Sequence, residues 1–78
     1  MTGEQCRMAR AALDWNAQKL ATKAGVGINT VNRFESGAGQ PRGVTLDALR
    51  GALEAAGVEF IAGNDGGPGV RLQRKGEK

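Results

Sequence analysis

The sequence predicts a mainly α domain of four short helices closed by a C-terminal β-hairpin. Three observations lead there. Between Asn16 and Gly37, two short amphipathic patterns are joined by a glycine-bearing turn of about three residues. On either side of that pair, a capping signal at Thr2 and a leucine stripe from Leu46 mark two further helices. After Gly57 the helical spacing stops, and strand-forming residues flank a run of turn formers.

Taken in order, Thr2 followed by Gln5 reads as a capping box, in which each side chain satisfies a backbone donor of the first helical turn. The first helix is expected to run to about Asp14, with Cys6, Ala9 and Leu13 inward and Met8 or Ala12 at the margin. Asn16 suits the N-cap of the second helix, and Trp15 before it is assigned to the core. In that helix Leu20, Ala21 and Ala24 share a side, while Lys19 and Lys23 stand one turn apart on another. The third helix begins near Gly27, with Ile28, Val31 and Phe34 recurring at intervals of three. Ser36 to Val44 concentrates glycine and carries Pro41, which predicts a loop. Thr45 is then expected to cap a fourth helix whose Leu46, Leu49, Leu53 and Ala56 form one stripe, closed by Gly57.

Val58 to Ile61 and Val70 to Leu72 read as strands, with turn residues from Asn64 to Gly69 between them. An isolated two-stranded ribbon is marginal in water, so it must either pair with a partner's ribbon or dock on the helices. Phe60 and Ile61 point to opposite faces of a strand, which suggests helices on one side and a second chain on the other. The expected organisation is a helical domain over 1–57, a ribbon over 58–72 acting as dimerisation element, and a polar tail over 73–78.

Composition removes several classes of function. A chain of 78 residues buries only about 60% of its unfolded surface, so a partner subunit would help it. The net charge of +3 permits a polyanionic partner without requiring one. One cysteine and no histidine exclude an internal disulfide and Cys/His metal sites, and no cofactor is expected. Nothing resembles a secretion signal, and no apolar run approaches the ~18 residues of a membrane span, so the cytoplasm is the expected compartment. There is no catalytic constellation, and Cys6 has no histidine to activate it. Asn64-Asp65-Gly66-Gly67 lacks the remaining ligands of a calcium loop and reads as a turn.

Two short helices meeting at Gly25 form a helix-turn-helix, because a residue without a side chain can adopt the left-handed conformation that redirects the chain steeply. The run LDWNAQKLATKAGVGINTVNRFESG also resembles the DNA-binding motif of the phage Cro/repressor (XRE) family. The similarity extends from Thr2 to about Gly57 and is most specific at Leu20-Ala21, Gly25, Thr30-Val31, Arg33-Phe34-Glu35 and Gly37. It implies a compact four-helix, repressor-like DNA-binding domain and a transcription regulator acting as a homodimer. It also implies a structural ion pair between Arg10 and Glu35. The match departs at Ala17, where the family usually has a glutamine that binds phosphate and braces the recognition helix; Gln18 comes one residue late.

On that footing Ile28, Asn29, Asn32 and Arg33 are the candidates for reading bases. Arg33 can donate two parallel hydrogen bonds to guanine, and Asn29 or Asn32 can do the equivalent for adenine. Ile28 is either a thymine-methyl contact or core. Phosphate contacts are expected from Asn16, Lys19, Lys23, Thr30, Gln40 and Arg42, and a dimer interface from Val58, Phe60, Ile61, Val70 and Leu72. The competing function is an antitoxin-like or adaptor module that uses the same fold to bind another polypeptide. Single-stranded RNA is disfavoured, because two or more of the three aromatic side chains look buried and leave no stacking platform.

Overall fold

The computed structural model describes residues 1–62 and 67–73. Four helices and two strands follow in chain order: α1 (Gly3–Leu13), α2 (Ala17–Ala24), α3 (Ile28–Ser36), α4 (Gly43–Ala55), β1 (Val58–Ile61) and β2 (Gly69–Leu72). The first half of the turn expected over Asn64 to Gly69, and the tail beyond Gln73, lie outside the described residues.

Local signals in the sequence account for the first three helices. Thr2 and Gln5 form the expected capping box: the Gln5 N–H donates to Thr2 Oγ1 at 3.0 Å and the Thr2 N–H donates to Gln5 Oε1 at 2.9 Å. At the other end of α1, Asp14 takes a left-handed conformation with φ 59° and the Trp15 N–H closes onto the Arg10 carbonyl at 2.9 Å. Asn16 caps α2 by accepting from the Lys19 N–H at 2.7 Å. Gly25 ends that helix with φ 73°, which an L side chain adopts only under strain. Val26 closes the same corner by donating its N–H to the Ala21 carbonyl at 3.0 Å.

The fourth helix departs from the expectation. Thr45 is not its cap: α4 starts at Gly43, with Arg42 in the N-cap position and no side-chain cap. The loop therefore shrinks to residues 37–42. Tertiary packing outweighs the poor helix propensity of glycine here, because the earlier start lets the Leu46 N–H reach the Arg42 carbonyl at 2.8 Å and seats Leu46 against the core. The inward side of α1 is Gln5, Cys6 and Ala9, with the half-buried Leu13 packed against the core as expected, while Met8 and Ala12 are exposed.

All four helices and β1 contribute to one core: Cys6, Ala9, Leu20, Ala21, Val31, Phe34, Leu49, Leu53 and Val58. The strands pair antiparallel with Val58 opposite Leu72 and Phe60 opposite Val70, so those four apolar residues share one face. Val58, Phe60 and Val70 on that face pack on the chain's own helices, while Leu72 at its end stays exposed. Val58, expected at a dimer interface, is only 4% exposed and belongs to the core, with Phe60 and Val70 half-buried against it. The ribbon is thus stabilised by docking, the other of the two outcomes open to it. Its opposite face carries Glu59 and Arg71, 3.6 Å apart, together with Ile61.

Gln5 fixes this docking. Besides capping α1, its buried amide donates to the carbonyls of Ile61 and Gly69, at 2.9 Å each, and so grips the far end of both strands. The same helix start presses on α3. A Cβ on Gly3 would fall 2.3 Å from the Phe34 carbonyl oxygen, a backbone atom that cannot rotate away. Gly3→Ala is therefore expected to lower stability by ~1–3 kcal/mol, as overpacking does, although alanine is the better helix former. Urea unfolding measures it; a neutral or stabilising effect would mean that the two helix ends are not in contact.

Candidate nucleic-acid interface

The corner at Gly25 sets α3 against α2 and α1 with Val31 and Phe34 buried in the core, and leaves the opposite side of α3 to solvent. Asn29, Asn32 and Arg33 are exposed on that side. Ile28 is half-buried and packs against the core, which favours the second of its two readings.

Polar and cationic groups flank this surface. Asn16 at the cap of α2 and Lys19 and Lys23 on it are exposed, as are Gln40 and Arg42 in the loop before α4. The Asn16 side-chain oxygen is already used in capping, which leaves its amide N–H groups as donors. Lys19 holds its ammonium 5.7 Å from the centre of the Trp15 ring, close enough for attraction to the indole face. Between α3 and the loop a shallow cleft of about 160 Å³ gathers Thr30, Arg33 and Gln40 over Phe34, Gly39 and Pro41. Gln18 does not substitute for a glutamine at position 17. Its amide donates to Thr22 Oγ1 at 3.3 Å along its own helix, and Ala17 packs against the core.

Behind α3 stands the Arg10–Glu35 pair. Arg10 donates from Nε and Nη2 to the two carboxylate oxygens of Glu35 at 2.7 Å each, and from Nη1 to the Trp15 carbonyl at 3.0 Å. One guanidinium thus joins α1, the α1–α2 corner and the end of α3. The hydrogen bonds to Glu35 raise the Arg10 pKa above its ordinary value, so the cation persists at any accessible pH.

Cys6 lies in the same buried region. Burial, and next the Glu35 carboxylate beside it, push its thiol up to about 12 from the usual 9.0. Above pH 9.0 the unfolded chain releases a proton that the folded chain keeps until about pH 12. Stability linked to Cys6 is therefore complete below the lower value and is lost as pH rises toward the higher one. Urea midpoints should fall across that window, and fall less in Cys6→Ala; equal slopes in the two proteins would contradict the assignment. At neutral pH the folded thiol should also resist alkylation.

Sequence reasoning missed two features: the hold of Gln5 on the ribbon, and the contact of Arg33 with the loop. Neither has a local signal, because each joins segments distant in sequence or conformation.

A family model described as helix-turn-helix matches residues 7–59, from the middle of α1 through the first residues of β1. Comparison with curated proteins gives no match to the chain.

Proposed function

The chain belongs to the Cro/C1-type (XRE) helix-turn-helix family of DNA-binding regulators, and from that premise we propose that it binds a specific operator with two half-sites as a homodimer. The observation that carries this reading is the two-sidedness of α3. One side is anchored by Val31, Phe34 and the Glu35–Arg10 pair, while Asn29, Asn32 and Arg33 are exposed on the other. A helix braced in this way can insert into the major groove without rearranging the domain.

In this reading Arg33 reads a guanine, Asn29 or Asn32 an adenine, and Ile28 supports the helix start with a margin of contact to a thymine methyl. Asn16, Lys19, Lys23, Thr30, Gln40 and Arg42 hold the phosphates on either side and set the register. Since Val58, Phe60 and Val70 pack on the chain's own helices, the dimer uses what the ribbon leaves outside: the edge of the hairpin with Ile61 and the 42% exposed Leu72. Two recognition helices then face one side of the duplex about one turn, ~34 Å, apart.

Selection of duplexes from a random pool, with sedimentation of the protein–DNA complex, tests the proposal. The expected result is an enriched sequence with two related halves about one turn apart, bound by two chains. An unenriched pool, together with capture of a polypeptide partner, would favour the adaptor function instead. Leu72→Asp should give a monomer that retains the fold and binds a single half-site weakly; an unchanged dimer would move the interface to the helices.

A further inference from the structure

The Arg33 side chain does not extend freely from α3. It folds toward the loop, and its guanidinium lies on Gly39: a Cβ there would stand 3.1 Å from Nη2, 3.7 Å from Nε and 3.8 Å from Cζ. Nη2 is the nearest of the three atoms and Nε is nearer than Cζ, so the guanidinium approaches Gly39 by one edge of its fork. The first distance is tighter than a Cβ ordinarily tolerates, so a methyl group would push the arginine aside by a few tenths of an ångström. Gly39 itself lies outside the left-handed region, so its backbone does not require glycine. What favours glycine there is the space occupied by Arg33. Around them Thr30, Gln40 and Pro41 form the walls of the same cleft.

We propose that Gly39 is a positioning residue for Arg33, holding the guanidinium in one orientation before DNA arrives, so that the loop and α3 jointly set the base preference at that position. The proposal rests on the reading of Arg33 as a base contact. A long, rotamer-rich side chain loses entropy when it is fixed on a base, and a preformed resting place removes part of that loss and selects one approach. Specificity of an arginine fork depends on angle, which a shift of a few tenths of an ångström at its root changes.

The experiment compares the base-pair preference profiles of the intact protein, Gly39→Ala, Arg33→Ala and the double variant, with Gly43→Ala as control, since nothing lies within 4 Å of a Cβ at Gly43. Gly39→Ala is expected to fold normally and to lose about fivefold to tenfold of the discrimination at the Arg33 base pair alone, with no further loss when Arg33 is already alanine. A uniform loss at all positions, or an equal loss in the Arg33→Ala background, would overturn it. The free protein supplies an independent readout through the ¹⁵N relaxation of the Arg33 Nε–H group. Gly39→Ala should make that group more mobile and Gly43→Ala should not; unchanged relaxation would also overturn the proposal. If Arg33→Ala leaves the profile untouched while Gly39→Ala still frees the side chain, the base-reading role fails and the positioning contact stands.

Discussion

Arg10→Ala is expected to destabilise the protein by ~3–5 kcal/mol, a large share of the ~4–12 kcal/mol typical of a chain this size. The magnitude follows from what is left behind. The Glu35 side chain is only 7% exposed, and both of its oxygens bond to Arg10 at 2.7 Å. Without that partner a carboxylate stays buried beside the Cys6 thiol and the core, and the Trp15 carbonyl loses its 3.0 Å donor. Glu35→Ala should cost less, since Arg10 is 20% exposed and keeps Trp15. Replacing both by apolar residues of similar volume should recover most of the loss, because the pair's net contribution is small beside the penalty of leaving one member unpaired. Urea unfolding of these variants measures the effects, and Arg10→Ala/Glu35→Ala closes the cycle; additive alanine effects would show that the two side chains are energetically independent.

The largest effect on function is expected from salt. Lys19, Lys23 and Arg42 are exposed cations around α3, three per chain and six in a dimer. Each phosphate neutralised adds about −0.9 to the slope of log affinity against log salt, which predicts a slope of about −5 for two chains. Raising salt from about 50 to about 200 mM should then weaken operator binding by about a thousandfold; one chain, at about −2.7, would lose only about fortyfold. The slope therefore counts chains and contacts together. Lys23→Ala in the dimer should reduce it by about 2 while the base preference keeps its pattern. A shallow slope near −1 would contradict the assignment of these three residues to the backbone contacts.

How much was legible in the sequence varied with the range of the interaction. Caps at Thr2 and Asn16, the reversal at Gly25 and the buried sides of α2 and α3 depend on neighbours within one or two turns, and the residues there state their own geometry. The start of α4 was misplaced, because a threonine two residues inside the helix is locally a better cap than Arg42, while the packing of Leu46 decides the matter from across the core. The hairpin is visible as strand-forming residues, but these leave its docking open between two outcomes. Closing it requires Gln5, fifty-six residues from Ile61, whose second role no local pattern announces. The polar side of α3 could be read directly as Asn29, Asn32 and Arg33, whereas the resting place of Arg33 on Gly39 depends on the fold of the loop.

The central claim is that the exposed side of α3 reads base pairs. Binding of Arg33→Ala to every single-base-pair variant of the selected operator tests it most directly. The preference should relax at one position in each half-site, by ~1–3 kcal/mol, with the remaining profile intact. A profile identical to that of the unaltered protein, or equal weakening on every duplex, would contradict it.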